Sequence, residues 1–154
     1  MSEFKGIVRM FGTDLDGEKK VYIALTKLKG VSTMMARAVT ERTDIDKNSK
    51  LGNLPDEKIA EIEKILKNPR EHDLPSWLFN RRRDYETGKA LHNVGAKLLM
   101  SLREDLNRLK KIRAYRGIRH ESGLPVRGQK TKSSFRVGRA VGVSRKKARR
   151  KLGV

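Results

Sequence analysis

The chain has 154 residues, enough for one domain with a core, and its 37 Lys and Arg outnumber its 18 Asp and Glu to give a net charge of +19. A charge of this size repels itself and is usually offset by a polyanion such as a nucleic acid. The chain has no cysteine, which excludes disulfides, thiolate metal sites and cysteine nucleophiles and predicts a reducing, cytoplasmic setting.

The chain begins with a predicted extended segment over residues 4–12. An Asp- and Gly-rich stretch over 13–17 follows, and its composition predicts a turn. Two aspartates in this stretch resemble the start of a calcium loop. The glycine falls too early for such a loop and no Glu closes it, so we predict no metal site here.

Two helices are predicted next, joined by a tight corner. Apolar residues at helical spacing indicate a short helix within 19–28. Gly30 suits the position just past its end, and Ser32 is a good N-cap for a second helix over about 33–42. The predicted buried stripe of this second helix consists of Val31, Met35, Ala38 and Val39.

A third helix is predicted over 55–67, with Pro55 at its start, where the missing N–H costs nothing. Residues 69–88 contain prolines, glycine and a single tryptophan and are predicted to be an irregular excursion. A long helix over about 89–112 follows, since apolar residues recur there at steps of three or four. These residues are Leu91, Val94, Leu98, Leu102, Leu106, Leu109 and Ile112.

These elements predict a mainly α fold: a small helical body with a helix-two-turn-helix-like hairpin, one long helix and an extended basic C-terminal tail. Charge is unevenly distributed between the body and the tail. Residues 1–109 carry 21 basic and 17 acidic residues, a net of +4, whereas residues 110–154 carry 16 and 1, a net of +15. We place the body at 1–123 and the tail at 124–154. This asymmetry is typical of a folded body with a nucleic-acid-binding arm.

The sequence offers little for catalysis. His72, His92 and His120 lack a second ligand at metal spacing, and there is no glycine-rich phosphate loop. Glu104 and Asp105 are expected on the solvent face of the long helix; a carboxylate pair for nuclease chemistry stays open, but nothing singles one out. No segment has the apolar length of a signal peptide core or a membrane span. We therefore predict no enzyme activity, cofactor, metal or membrane partner.

The first of three candidate RNA-binding sites is the corner between the two short helices. Free N–H groups at the start of the second helix can hold a phosphate, and basic residues flank the corner. The candidate residues are Lys27, Lys29, Gly30 and Arg37. A purely structural corner is an equally reasonable interpretation of the same pattern.

The second candidate follows the long helix. Arginines spaced by three would lie on one side of a helical turn that continues this helix, where guanidinium groups can bind phosphates or stack on bases. The candidate residues are Arg113, Tyr115, Arg116, Arg119 and His120. Core packing of Tyr115 is the alternative to stacking on a base.

The third candidate is the basic arm. Pro, Gly, Ser and Thr among basic residues cannot build a core, so this arm is expected to bind along a phosphate backbone. A solvated tail without a partner is the alternative. The candidate residues are Arg127, Lys130, Lys132, Arg136 and Arg139, followed by Arg145, Lys146, Lys147, Arg149, Arg150 and Lys151.

The second and third candidates contain a specific string. Residues 115–132 read Y-R-G-I-R-H-x-x-G-L-P-V-R-G-Q-K-T-K, and residues 25–32 read L-T-K-L-K-G-V-S. In order and spacing these blocks resemble the universal small-subunit ribosomal protein S-thirteen family. The excursion at 69–88 and the ending V-G-V-S-R-K-K resemble its archaeal and eukaryotic branch. Glu121 and Ser122 stand where bacterial members are usually basic, which puts that charge contact in doubt.

The resemblance implies a structural protein of the small-subunit head that binds ribosomal RNA. It also implies a neighbouring head protein, S-nineteen, an intersubunit bridge with large-subunit protein L-five, and a tail that approaches the peptidyl-site tRNA. The tail residues concerned would be Arg145 to Lys151. Two other classes compete with this interpretation: a DNA glycosylase with a related hairpin, which needs a catalytic domain that this chain has no room for, and a DNA-coating protein.

Overall fold

The computed structural model describes residues 4–132 and 134–135. It is mainly helical, which confirms the predicted fold class. The helices are α1 (Val21–Leu25), α2 (Thr33–Arg42), α3 (Asp56–Lys67), α4 (Ala96–Lys111) and α5 (Tyr115–Glu121), with single 3-10 turns at Leu51–Asn53 and Ser76–Leu78.

A two-stranded hairpin precedes the helices. Strands β1 (Ile7–Met10) and β2 (Thr13–Asp16) pair antiparallel. The predicted turn at 13–17 is therefore wrong for all but its end, because the chain already turns at Phe11 and Gly12, whose φ angles are +48° and +71°. Two successive residues with positive φ make the tight turn whose twist suits a hairpin.

The core is formed by the hairpin together with α1, α2 and α3. The predicted second and third short helices are confirmed, and Ser32 caps α2 by accepting a hydrogen bond from the Met35 N–H at 3.3 Å. Ala36 rather than Ala38 completes the buried face of α2. Apolar residues on one face of each helix are removed from water here, which is the main source of stability.

Residues 89–95 are not helical, so the long helix begins seven residues later than predicted. Asn80 explains this, because its side-chain amide pairs with the backbone of Asn93: Nδ2 donates to the Asn93 carbonyl at 2.6 Å and Oδ1 accepts from the Asn93 N–H at 2.9 Å. Arg81 and Leu91 also exchange two backbone hydrogen bonds. These hydrogen bonds use backbone N–H and carbonyl groups that an α-helix would need for its own hydrogen bonds.

The long helix also ends earlier than the arginine spacing suggested. Arg113 has a φ of +57°, a left-handed conformation that no α-helix contains. The chain then starts a separate helix, α5. Arg113 therefore does not share a helical face with Arg116 and Arg119, and that prediction is wrong.

Contacts divide the chain into two units, an amino-terminal unit that ends at Asn107 and a carboxyl-terminal unit that begins at Arg108. The boundary falls inside α4, and the composition-based boundary at 123 stays a prediction. All buried apolar side chains among the described residues lie between Val8 and Val94. Within the described ranges, none of the helices has the length and apolar character needed to cross a bilayer.

Candidate nucleic-acid interface

The corner between α1 and α2 forms as the sequence predicts, and its two lysines differ. Lys29 is exposed, and no ion pair of its side chain with another described residue is seen. Lys27 is also exposed, but its Nζ donates to the Asp14 carbonyl of β2 at 2.8 Å. Lys29 is therefore the better placed of the two to meet a phosphate.

Gly30 has the predicted positive φ, at +103°. The space beside it is filled by the protein itself: a Cβ there would lie 2.5 Å from the Asn93 carbonyl oxygen and 3.3 Å from Leu98. The backbone also bonds across this contact, because the Gly95 N–H donates to the Lys29 carbonyl at 2.8 Å. Glycine is thus required here for packing of the corner against residues 93–98, and not only for the turn. Phosphate binding by the corner remains a prediction.

Arg37 lies on the exposed side of α2. Its guanidinium stacks on the ring of Tyr22, 5.7 Å from the centroid. Both residues line a groove of about 910 Å³ that α2 forms with the excursion, and Trp77, which is 58% exposed, lines it as well. Trp77 is not among the binding residues that the sequence predicted. Its position as a single tryptophan in a polar, proline-containing stretch was the sequence feature that could have indicated a surface role.

The α5 helix presents the second candidate set. Tyr115 is 71% exposed and Arg116 and His120 are exposed, whereas Arg119 is half-buried. Core packing of Tyr115 is therefore not observed in the described structure. Residues three or four positions apart share a helix face, so Tyr115 with Arg119, and Arg116 with His120, form two adjacent pairs.

Gly117 fixes where this set lies relative to the end of α4. It is the buried residue of α5, and a Cβ at this position would lie 2.3 Å from the Leu109 carbonyl oxygen and 2.8 Å from the Lys110 nitrogen. Only a hydrogen atom fits in that gap. The glycine therefore holds the backbone of α5 directly against the last turn of α4.

Arg119 organises the segment after α5. Its Nε donates to the Pro125 carbonyl at 3.0 Å, across the turn that Gly123 makes with a φ of +64°. The exposed residues Arg127, Lys130 and Lys132 follow. Arg136, Arg139 and the basic run from Arg145 to Lys151 lie outside the described residues.

The acidic pair in α4 behaves differently from the expectation. Asp105 is not simply solvated: its two carboxylate oxygens accept from the Arg81 guanidinium at 2.9 and 3.1 Å. Arg81 also pairs with Asp84 of the excursion. This bidentate pair ties the excursion to α4. Within the residues that the structure describes, His, Asp and Glu side chains nowhere gather in the groups of three or more that a metal ion needs.

Comparison with known proteins decides the family. Residues 9–137 match the family model described as ribosomal protein S13/S18. A relative from Methanopyrus kandleri is 56% identical over 146 residues, which cover 94% of this chain and 97% of the relative. Relatives from Methanothermobacter thermautotrophicus and Methanocaldococcus jannaschii are 52% and 51% identical, with 97% of each covered. All three are named small ribosomal subunit protein uS13. The chain belongs to the ribosomal protein S13/S18 family.

The match confirms the resemblance drawn from two short blocks and extends it over most of the chain. Both blocks lie within the matched range, as does the excursion. The family is a structural, non-enzymatic component of the ribosome.

Proposed function

We propose that this chain is a structural constituent of the small ribosomal subunit in the cytoplasm, where α5 and the segment after it bind ribosomal RNA. The observation that carries the proposal is the α5 surface. Its exposed tyrosine and basic side chains stand on a helix whose backbone is fixed by Gly117. Arginine and tyrosine suit an RNA surface, because the former binds phosphates and both stack on bases.

The corner before α2 is the second proposed contact with RNA. Lys29 is exposed there, and the first N–H groups of a helix carry the positive end of its dipole. The contribution of the corner is expected to be smaller than that of α5. We expect Lys29→Ala to weaken RNA binding while leaving the fold intact.

Incorporation into the subunit tests the main proposal. Small subunits reconstituted from archaeal components without their own uS13 should take up the wild-type chain. Arg116→Ala should lower occupancy, and Arg70→Ala, which removes an exposed arginine from the excursion, serves as the matched control. Equal occupancy for the two variants would remove α5 from the RNA contact.

Salt dependence tests the electrostatic part of the proposal. If about eight to ten phosphates are contacted, log K for small-subunit RNA should fall with log salt at a slope of about −6 to −9. A slope shallower than about −2 would mean that shape and hydrogen bonding, not charge, carry the affinity.

The finer proposal concerns the partners of the head. By resemblance, the chain would lie next to protein S-nineteen, reach large-subunit protein L-five at an intersubunit bridge, and approach the peptidyl-site tRNA with the basic run from Arg145 to Lys151. Support comes from the charge of residues 110–154, a net of +15. Charge alone, without fixed geometry, is sufficient to attract a tRNA backbone.

Truncation after Val143 separates the tail from the α5 surface. We expect the truncated chain to enter the subunit almost as well as the wild type, and the resulting subunits to retain peptidyl-site tRNA less well. The double change of Arg116 and Arg119 to Ala should instead lower entry into the subunit. If truncation abolishes entry while the double variant assembles normally, the two roles are reversed.

A further inference from the structure

The groove between α2 and the excursion is a second surface with the composition of a binding site. Its volume of about 910 Å³ lies within the range of sites that hold small ligands in proteins. One wall belongs to α2 and the other to the excursion, and Tyr22 of α1 lines the groove as well. Neither α5 nor the corner residues Lys29 and Gly30 contribute to the lining. A ligand of the groove would therefore make contacts separate from the RNA contacts proposed above.

Trp77 stands on the excursion wall with its indole exposed. It belongs to the short turn Ser76–Leu78, which is closed by a hydrogen bond from the Leu78 N–H to the Pro75 carbonyl at 3.0 Å. Leu78 packs against the core and Phe79 is only 4% exposed, whereas Trp77 is 58% exposed. The turn is thus anchored by the residues after Trp77 and presents the indole on the outside.

The exposed indole has no ring partner and no cation above it. Among the described residues, no aromatic ring stacks on Trp77, and no ammonium or guanidinium group lies over its face. Met34 on the opposite wall is 51% exposed, so the groove has accessible apolar surface on both sides. Exposed apolar surface gathered in a groove is typical of a site that a partner covers.

Arg37 supplies positive charge on the α2 wall. Its guanidinium lies 5.7 Å from the centroid of the Tyr22 ring, and both residues line the groove. The Arg37 side chain forms no ion pair with any described residue. A guanidinium carries five N–H donors in a plane that suits phosphate oxygens. Arg82 adds charge close to the indole, because its Nη2 donates to the Trp77 carbonyl at 3.1 Å.

The other charged side chains of the groove already have partners. Arg42 of α2 pairs with Asp73 of the excursion at 2.8 Å, which ties the two walls together. Glu41, the acidic residue among the described lining residues, accepts from Lys47 at 2.6 Å. Arg37 is therefore the cation of the groove that is left to bind an external anion.

We propose that this groove binds an unpaired RNA nucleotide, whose base stacks on Trp77 and whose phosphate is bound by Arg37. A nucleotide combines a flat aromatic ring with a negative charge, which suits a free indole face and an unpaired guanidinium in one groove. Bases in a duplex are already stacked on their neighbours, so only an unpaired base is available to the indole. A purely acidic protein segment would suit Arg37 but not Trp77.

The intrinsic fluorescence of the full-length chain tests the site, because Trp77 is its single tryptophan. A base stacked on an indole quenches the indole emission, so the signal reports the groove and not the basic carboxyl-terminal region. The probes are a single-stranded adenosine trinucleotide, an abasic trinucleotide of the same backbone charge, a blunt RNA duplex and a triglutamate peptide, all at equal ionic strength. The adenosine trinucleotide should quench the emission to saturation, and the other three probes should leave it near its value in buffer.

Arg37→Gln is the test variant, because Arg37 is exposed on α2 and its change should leave the core intact. Arg70→Gln is the matched control, an exposed arginine of the excursion that does not line the groove. Loss of a charge-assisted hydrogen bond should raise the trinucleotide concentration at half quenching about tenfold in Arg37→Gln. Arg70→Gln should stay near the wild-type value. Arg116→Ala should also stay near it, which separates this test from that of the α5 surface.

Each outcome supports or overturns the site. Quenching by the adenosine trinucleotide alone, weakened in Arg37→Gln, supports it. Equal quenching by the abasic trinucleotide or by the duplex overturns stacking of an unpaired base. A larger change of emission with triglutamate than with the trinucleotide overturns the nucleotide in favour of an acidic protein segment. Emission that the trinucleotide does not change, equal losses in the Arg37 and Arg70 variants, or loss of quenching in Arg116→Ala overturns the groove as a site of its own.

Discussion

The amino-terminal and carboxyl-terminal units of this chain differ in where their side chains are placed. The amino-terminal unit buries every apolar core residue of the described structure, from Val8 to Val94. Among the described residues 108–132 and 134–135, only Gly117 is buried, and Ile112, Tyr115 and Ile118 are exposed. Charge follows the same division, with a net of +4 over residues 1–109 and +15 over residues 110–154.

This difference indicates that folding and RNA binding draw on different parts of the chain. Burial of apolar surface stabilises the first unit without a partner. The second unit offers charge and exposed apolar surface, both of which gain free energy mainly when a partner covers or neutralises them. The α4 helix shares this character, because it has no buried residue and Leu102 is 54% exposed.

The largest expected effect comes from a matched pair of leucines. Leu25 of α1 is completely buried, so Leu25→Ala should lower the free energy of unfolding by about 2–5 kcal/mol. Leu102→Ala on exposed α4 should cost less than about 0.5 kcal/mol. Urea unfolding of the full-length chain, monitored by circular dichroism, measures both. Similar losses in the two variants would show that α4 is packed as tightly as the core.

Gly117→Ala should give the next largest effect, and here two physical effects oppose each other. Helix propensity favours alanine over glycine by about 1 kcal/mol. The contact with Leu109 opposes it, since a Cβ would lie 2.3 Å from a carbonyl oxygen and overpacking typically costs about 1–3 kcal/mol. We expect the contact to dominate and to displace α5 from the end of α4.

The readout of Gly117→Ala is RNA affinity, because the core lies in the other unit. Affinity for small-subunit RNA should fall about tenfold, which corresponds to about 1.4 kcal/mol. The urea midpoint of the amino-terminal unit should not change. Gly6→Ala is the control, since a Cβ at Gly6 meets nothing within 4 Å. Unchanged affinity in the Gly117 variant would mean that the position of α5 does not matter for binding.

The elements that the sequence predicted well are those fixed by local signals. Gly30 and Ser32 define the corner and the start of α2 through a positive φ and a side-chain cap, both of which act within a few residues. The start of α4 was missed because the signal is not local. Leu91 and Val94 fit a helical period, but the Asn80 amide, thirteen residues before Asn93, holds that segment extended.

In the candidate site, too, only features that depend on local sequence could be predicted. The basic residues of α5 were visible in the sequence because charge and spacing are local properties. Two features were not visible: the packing of Gly30 against Asn93, and the pairing of Arg81 with Asp105 across 24 positions.

The ion pairs of Arg81 qualify the difference between the two units, because they stabilise the amino-terminal unit through charge. Arg81→Met removes the bonds to Asp105 and Asp84 and should lower the free energy of unfolding by about 1–2 kcal/mol near neutral pH. Arg83→Met, which changes an exposed arginine of the same run, is the control. Equal stability of the two variants would show that the pair contributes nothing.

The free energy of unfolding measured at acid pH gives a second test of the pairing between Arg81 and Asp84. Hydrogen bonds from Thr87, and then from Arg81, lower the pKa of Asp84 from its ordinary 3.8 to about 2. A carboxyl whose pKa is lowered in the folded state contributes stability above its unfolded pKa and loses it as the pH falls. The wild type should therefore lose stability between about pH 4 and about pH 2. The Arg81 variant should lose less in that range.

His92 should produce the smallest effect. Burial lowers the pKa of its imidazole below the ordinary 6.5, so the unfolded chain takes up a proton at a higher pH than the folded chain does. The contribution of the neutral ring is complete above pH 6.5 and is lost as the pH falls below it, by at most about 1.4 kcal/mol per pH unit. At pH 5.5, one unit below 6.5, the loss therefore cannot exceed about 1.4 kcal/mol. His92→Gln should lack this loss, because an amide does not titrate, and His120→Gln on exposed α5 should keep it.

Urea midpoints at pH 7.5 and 5.5 measure the difference between these variants and the wild type. An unchanged pH dependence in His92→Gln would show that another group takes up the proton.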